Sequence, residues 1–186
     1  MIQMFITVED QKIPEVNKII QRLSDMTSSE ISFDEKTKTY NVIPKGNPYD
    51  AMKATNVIKA IGLGFNVTDA LKLLSDEYEL ETIDLKETMG KDQDDMRRVK
   101  ARVIGEKGKT KKFIEEYTGV IMSIHENHIS FIGPFDQVAV ARKAVELIIL
   151  GREHQSVYKY LDRAEKELMQ YKMEKLKRSS NKFYEI

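Results

Sequence analysis

No cysteine occurs among the 186 residues, which removes disulfides, thiolate nucleophiles and most structural zinc sites and fits a reducing, cytoplasmic setting. No run of about 18 apolar residues occurs either. The opening MIQMFITVEDQK has neither a basic n-region nor a long apolar h-region. The expectation is a protein that is neither secreted nor membrane-spanning. Histidine is scarce, at three residues. His125 and His128 flank a tight turn at HENH, where Asn127 favours the bend, and two histidines without a third ligand make a poor metal site. No Ser/His/Asp pattern and no acid–base pair stands out, and nothing calls for a cofactor. Asp92, Asp94 and Asp95 in GKDQDDM read more simply as caps on the first turn of a helix than as a Mg²⁺ site. The chain reads as a binder, not an enzyme.

Net charge is absent too, but only in sum. Residues 1–95 carry 11 Lys and Arg against 18 Asp and Glu, a net of −7, and residues 96–186 carry 19 against 12, a net of +7. Such asymmetry points to an interaction surface in one half. Within MRRVKARVIGEKGKTKKF, residues 96–113, eight basic residues (Arg97, Arg98, Lys100, Arg102, Lys107, Lys109, Lys111, Lys112) face the single acid Glu106. A charge run alone is usually a solvated helix face. Two glycines inside this one change the weighting.

Those glycines do not make a nucleotide-binding P-loop. G-x-x-x-x-G-K-[ST] ending at Gly108-Lys109-Thr110 needs glycine at 103, where Val103 stands. Gly105 lies only three residues before Gly108, too close for backbone N–H groups to wrap a triphosphate. The alternative is a loop that grips a nucleic-acid backbone.

With 41% hydrophobic and 32% charged residues, the chain suits one large domain or two small ones. A repeat favours two. KATNVIKAIGLGFNVTDALKLL (53–74) aligns with ARKAVELIILGREHQSVYKYL (141–161) when Gly64 meets Gly151, so that Ile58 meets Val145, Ile61 meets Ile148 and Leu74 meets Leu161. Each copy reads as a helix, a glycine stop and a second helix. Strand pairs precede each copy, EISFD with TYNVI and VIMSIH with ISFIG, and helices IPEVNKIIQRLSDM and KTKKFIEEYTG precede those. MFITV and ETIDLKE are the candidate opening strands.

This order around a Gly-x-x-Gly loop resembles the KH domain. The second half does so most closely, through the I-G-x-x-G of RVIGEKGKTKKFIEEYTGVIMSIHENHISFIG, Ile114 in the helix after it, the Thr118-Gly119 turn and the closing PFDQVAVARKAVELIILG. GEKGKTKKFIE with ARKAVELIILG and VYKYL is similar to the double-KH ribosomal RNA-processing factors of archaea and eukaryotes that partner the Nob nuclease. The resemblance implies an α/β (α+β) protein of two tandem type I KH domains, β-α-α-β-β-α each, packed together, with a C-terminal helix. The limits would be 1–80 for a degenerate first domain, 81–151 for the RNA-binding domain and 152–186 for the helix and a basic tail. It further implies single-stranded RNA as partner, namely the 3′ region of small-subunit ribosomal RNA or its precursor. The Nob-type endonuclease and the alpha subunit of translation initiation factor two are the implied protein partners.

The first half departs from the pattern. With Ile20 aligned to Ile114, Gln11-Lys12-Ile13-Pro14 stand opposite the Gly105–Gly108 loop, and almost no residues remain for a preceding helix. This module keeps a core (Ile19, Ile20, Leu23, Val57, Ile58, Ile61) without the grip, which fits a buttress or an acidic face turned to a protein.

The chemistry of the loop stands without the family name. Glycine lacks a Cβ, so the chain can turn sharply between helices and let a phosphate approach the main chain. A helix starting near Lys109 offers unpaired N–H groups and a positive dipole end. The expected RNA-binding residues are Arg98, Arg102, Val103, Ile104, Gly105, Glu106, Lys107, Gly108, Lys109, Thr110, Lys111 and Lys112, with Val103 and Ile104 flooring a groove beside VIMSIH that holds about four nucleotides. Thr110 has a plainer reading as an early-helix hydroxyl. A protein–protein adaptor with weak RNA affinity and a single-stranded DNA binder are the competing functions. The segment from 152 reads as one long helix as far as Ser179-Ser180. Its stripe of Val157, Leu161, Ala164, Leu168 and Tyr171 either packs on its own domain or meets a partner groove or a second copy, and KMEKLKRSSNK forms a basic tail.

Overall fold

The structure, a computed structural model, describes residues 3–182. In chain order it contains β1 (Met4–Thr7), a 3-10 turn (Asp10–Lys12), α1 (Ile13–Thr27), β2 (Ser29–Asp34), β3 (Thr39–Pro44) and α2 (Pro48–Gly62). Then come α3 (Val67–Ala70), a 3-10 turn (Leu71–Leu74), β4 (Glu79–Asp84), α4 (Leu85–Met89), α5 (Gln93–Ile104) and a 3-10 turn (Glu106–Gly108). The chain continues through α6 (Lys109–Thr118), β5 (Ile121–His125), β6 (His128–Gly133), α7 (Phe135–Ile149) and α8 (His154–Lys182). Helices and antiparallel strands are mixed, an α+β fold. Among the described residues no helix is long and apolar enough to cross a membrane.

The chain divides into two compact units, Met1–Gly90 with Ile121–Gly133, and Lys91–Val120 with Pro134–Ile186. The first holds two three-stranded antiparallel sheets, ordered β1-β3-β2 and β4-β6-β5. Alternation along β3 turns Tyr40 and Val42 inward, while α1 contributes Val16, Ile19 and Leu23 and α2 contributes Ala51, Ala54, Val57, Ile58 and Ile61. The Tyr40 hydroxyl donates to Asn17 Oδ1 at 2.8 Å. Ile132 of β6 belongs to the same core, with Leu80 and Ile121 at its margin, so the two sheets share one hydrophobic cluster.

In the second unit α6 packs against α5, α7 and α8, and α7 packs against α5 and α8. Met96, Val99 and Val103 are the buried stripe of α5, Ile114 and Thr118 are buried on α6, and Val157, Leu161 and Ala164 are buried on α8. The α8 stripe therefore packs within its own unit at first. Tyr171, further along, is 55% exposed. Gly119 ends α6 in a left-handed conformation.

The repeat has a physical basis. After α2, Gly64 N–H bonds Ile61 O and Phe65 N–H bonds Ala60 O; after α7, Gly151 N–H bonds Ile148 O and Arg152 N–H bonds Leu147 O. Both helices thus close with the same Schellman cap.

Other expectations need correction. Before α1 the first half has only a 3-10 turn, and Gln11-Lys12-Ile13-Pro14 lead straight into the helix, with Pro14 in its first turn, where proline has no N–H to lose. Only the start of ETIDLKE is strand, because Asp84 accepts from Lys86 N–H at 2.8 Å and Glu87 N–H at 3.3 Å and starts α4. The counterpart of α8 in the first half is only α3 and a turn. Residues 80 and 81 both lie in β4. Ser179 and Ser180 do not end α8, which runs on to Lys182; two serines cost a helix little among good helix formers.

Candidate nucleic-acid interface

The site is built outward from two helix ends. α5 starts as a helix should: the Asp92 carboxylate accepts from Asp94 N–H at 2.9 Å and Asp95 N–H at 3.1 Å, and acids fill its first turn. The capping reading of these aspartates therefore holds. α6 starts in the opposite way. No side chain caps it and no acid lies in its first turn; Lys109, Lys111 and Lys112 stand there instead. Cations at a helix N-terminus oppose the macrodipole by about 0.3–1 kcal/mol each. Stability alone does not explain why one helix of this pair follows the rule and the other breaks it.

Between them the chain makes a tight turn in positive φ. Gly105 has φ 75° and ψ 174°, Lys107 φ 52° and ψ 31°, and Gly108 φ 77° and ψ 9°. The turn is held by Gly105 N–H to Ala101 O at 2.9 Å and Gly108 N–H to Gly105 O at 3.1 Å. The glycines serve different needs. A Cβ on Gly105 would stand 2.2 Å from Thr110 Oγ1 and 2.7 Å from Thr110 N, whereas one on Gly108 would meet nothing within 4 Å. Gly105 makes room for the chain itself; Gly108 leaves open space outside it.

The expected contact residues divide accordingly. Glu106, Lys107 and Lys109 are exposed, and neither lysine has an ion-pair partner among the described residues. Ile104 is 39% exposed at the end of α5. Lys111 bonds Glu115 at 3.0 Å, Lys112 lies 3.8 Å from Glu116, and Arg98 bonds Asp95 at 2.6 Å.

Three residues belong to the scaffold instead. Val103 is fully buried and completes the Met96-Val99-Val103 stripe, so it does not floor a groove. Thr110 is 2% exposed, its hydroxyl 3.1 Å from the Tyr158 hydroxyl. Arg102 donates from Nη1 to Ile148 O at 2.8 Å and from Nη2 to Arg152 O, satisfying carbonyls at the end of α7.

Sequence reasoning missed two residues. His154 Nε2 donates to Arg102 O at 2.8 Å. Tyr158 reaches Thr110 and packs its ring on Phe113 at 4.4 Å, with Phe113 in turn stacked on Tyr117 at 4.6 Å. The i, i+4 spacing of Phe113 with Tyr117 and of His154 with Tyr158 was visible, but not that the pairs meet.

The histidines of the β5–β6 hairpin form surface pairs. His125 Nε2 lies 3.1 Å from Glu9 Oε2 and His128 Nε2 lies 3.5 Å from Asp84 Oδ2. Glu126 joins Glu9 and His125 in a group whose ligand atoms lie within 4.8 Å of one another. Tertiary structure thus brings Glu9 and Asp84 to these histidines, whereas Glu126 already adjoins His125 in the sequence; both glutamates are exposed.

A family model described as eukaryotic-type KH domain (KH domain type I) matches residues 79–166. A KH domain-containing protein of Methanocaldococcus jannaschii is 37% identical over 152 residues, covering 82% of this chain and 66% of that protein. The pre-rRNA-processing protein PNO1 of Debaryomyces hansenii is 33% identical over 145 residues, covering 76% of this chain and 57% of that protein. The chain thus spans somewhat under two thirds of these relatives' own lengths. Dim2p of Pyrococcus horikoshii, at 28% identity, superposes with a TM-score of 0.79 over 88% of this chain and 99% of that one. A chain of the a/eIF2alpha–aDim2p–rRNA complex of the same organism, also at 28%, gives 0.81 over 89% and 95%.

Proposed function

The chain belongs to the Dim2/PNO1-type KH proteins, and on that premise we propose that it binds single-stranded RNA through the Gly105–Gly108 loop during maturation of the small ribosomal subunit. The observation that carries this reading is the open, cation-flanked turn: Gly108 with free space where a side chain would stand, exposed Lys107 and Lys109, and an α6 N-terminus that no side chain caps. A phosphate seated there takes backbone N–H groups and the positive helix end together. Lys111, Lys112 and Arg98 add charge along the strand's path, and Ile104 offers an apolar surface to a base.

In this reading the chain carries two KH modules, a first one ending near residue 80 without a gripping loop and a second over about 81–151 that holds the RNA. The RNA is the 3′ region of small-subunit rRNA or its precursor, and the complex of the P. horikoshii protein with rRNA supports that class of ligand. The a/eIF2alpha of that complex and the Nob-type endonuclease of the family are the protein partners the reading carries. The first half, with its net −7, presents an acidic surface suited to a basic protein and not to RNA.

The test is fluorescence anisotropy with short single-stranded RNA and DNA oligonucleotides, including a 3′-terminal small-subunit rRNA segment and its shuffled control, at several salt concentrations. The expected result is RNA binding that weakens steeply with salt, with preference for the rRNA segment. No binding to any oligonucleotide at low salt would favour the adaptor; equal affinity for DNA would favour a grip blind to the 2′-hydroxyl.

A further inference from the structure

We infer that the first two turns of α8 form part of the grip, with His154 and Tyr158 acting as positioning residues for the Gly105–Gly108 loop; this rests on the RNA-binding reading above. The loop is anchored on both flanks by one helix that lies some 50 residues further along the chain. On the α5 side, His154 Nε2 donates to the carbonyl of Arg102 at 2.8 Å. On the α6 side, the Tyr158 hydroxyl lies 3.1 Å from that of Thr110. Arg102 closes the link by donating to Ile148 O and Arg152 O at the junction of α7 and α8.

Thr110 matters because it occupies the space that Gly105 leaves open, with Oγ1 at 2.2 Å and N at 2.7 Å from where a Cβ on Gly105 would stand. The rotamer of Thr110 and the path of Gly105 are therefore mutually determined, and Tyr158 fixes that rotamer from outside. The ring of Tyr158 lies against Phe113, so the anchor is packed as well as hydrogen-bonded. A turn with three residues in positive φ needs such over-determination to stay in one conformation. Neither His154 nor Tyr158 touches the open side of the loop; they act by removing alternative loop conformations, which lowers the ordering cost of binding.

The experiment compares Tyr158→Phe, His154→Ala, the double variant Tyr158→Phe/Thr110→Val, and Gly108→Asp in the full chain. It uses anisotropy with a short single-stranded RNA of mixed sequence at several salt concentrations, hydrogen exchange at residues 105–110 and thermal melts. Tyr158→Phe keeps the ring packing and is expected to melt close to wild type, to exchange faster across the loop and to bind about five- to tenfold more weakly, the scale of one lost hydrogen bond. Its salt slope should stay unchanged, because no phosphate contact is lost. The double variant lacks the same hydroxyl link and should bind about as weakly as Tyr158→Phe, since the two hydroxyls act through one contact. His154→Ala should repeat the loop-exchange and affinity losses.

Gly108→Asp separates the two levels. If it abolishes binding while Tyr158→Phe and His154→Ala bind and exchange like wild type, the positioning inference is overturned and the loop reading stands. If Gly108→Asp itself binds like wild type, the loop reading fails and the inference falls with it. A lowered salt slope in Tyr158→Phe would also overturn the inference, since it would make Tyr158 part of the contact surface.

Discussion

A methyl group added at Gly105 and the same group added at Gly108 enter different surroundings, and the difference sets two magnitudes. At Gly105 the backbone lies at φ 75° and ψ 174°, a region open almost only to glycine, so any side chain there costs about 1–3 kcal/mol in the backbone. The new Cβ would also stand 2.7 Å from Thr110 N, and displacing the first turn of α6 adds about 1–3 kcal/mol of overpacking. Gly105→Ala should therefore lose about 2–6 kcal/mol, which for a chain of this size lowers Tm by about 4 °C at the least. At Gly108, φ 77° and ψ 9° are left-handed helical values and the Cβ position is open. Asp tolerates that conformation better than most residues, so Gly108→Asp should cost about 1 kcal/mol and shift Tm by about 2–4 °C. Its carboxylate would lie where a phosphate must approach. A like-charge contact at about 4 Å opposes binding by roughly 1–4 kcal/mol, about fivefold to nearly a thousandfold in Kd, before any steric term is added. Calorimetric melts of both variants and an RNA titration of Gly108→Asp make the assay. Gly105→Ala melting like wild type would refute the loop geometry, and Gly108→Asp binding RNA like wild type would refute the grip. Gly105→Asp, in contrast, would confound the two and is a poor probe of binding.

Lys107→Ala and Lys109→Ala should each weaken binding to all RNA sequences alike and lower the salt slope by about one unit or less; a changed base preference at constant slope would mean that they read bases. Lys111→Ala, whose ammonium is paired with Glu115, should do less. Arg102→Ala removes the donor from two carbonyls at the α7–α8 junction and should lower the melting free energy by about 1–3 kcal/mol, with Arg102→Lys recovering little of it; a melt unchanged from wild type would contradict the capping role. Burial pushes the Tyr40 phenol up to about 12. Because the folded value lies above the unfolded one of about 10, stability is fully present below pH 10 and falls between pH 10 and 12, by at most about 2–3 kcal/mol. Denaturant melts across that range should fall more in wild type than in Tyr40→Phe.

The loop and its surroundings were legible because their signals are local. Two glycines at fixed spacing, a run of cations and β-branched strand pairs are properties of neighbouring residues, and the Gly64–Gly151 repeat corresponds to a Schellman cap formed within a few residues. Val103 was legible in principle: Met96, Val99 and Val103 follow helical spacing, and the stripe places Val103 inside even though it adjoins the half-exposed Ile104. Arg102 and Thr110 were not legible, since the groups they bond lie 46 to 50 residues further along the chain. The shared core was not legible for a similar reason: Leu80, Ile121 and Ile132 join a core built mainly by α1, α2 and β3, and local pattern carries no information about which sheet closes over which helices.

The central claim is that the main chain from Gly105 to Lys109 holds the RNA. Amide chemical-shift mapping of ¹⁵N-labelled full-length protein, titrated with single-stranded RNA at low salt, tests it most directly. The account predicts the largest perturbations at the amides of Gly105, Glu106, Lys107, Gly108 and Lys109, smaller ones along the rest of α6, and none on β1, β2 or β3. Saturable RNA binding that leaves the loop amides unmoved and shifts another surface would contradict it.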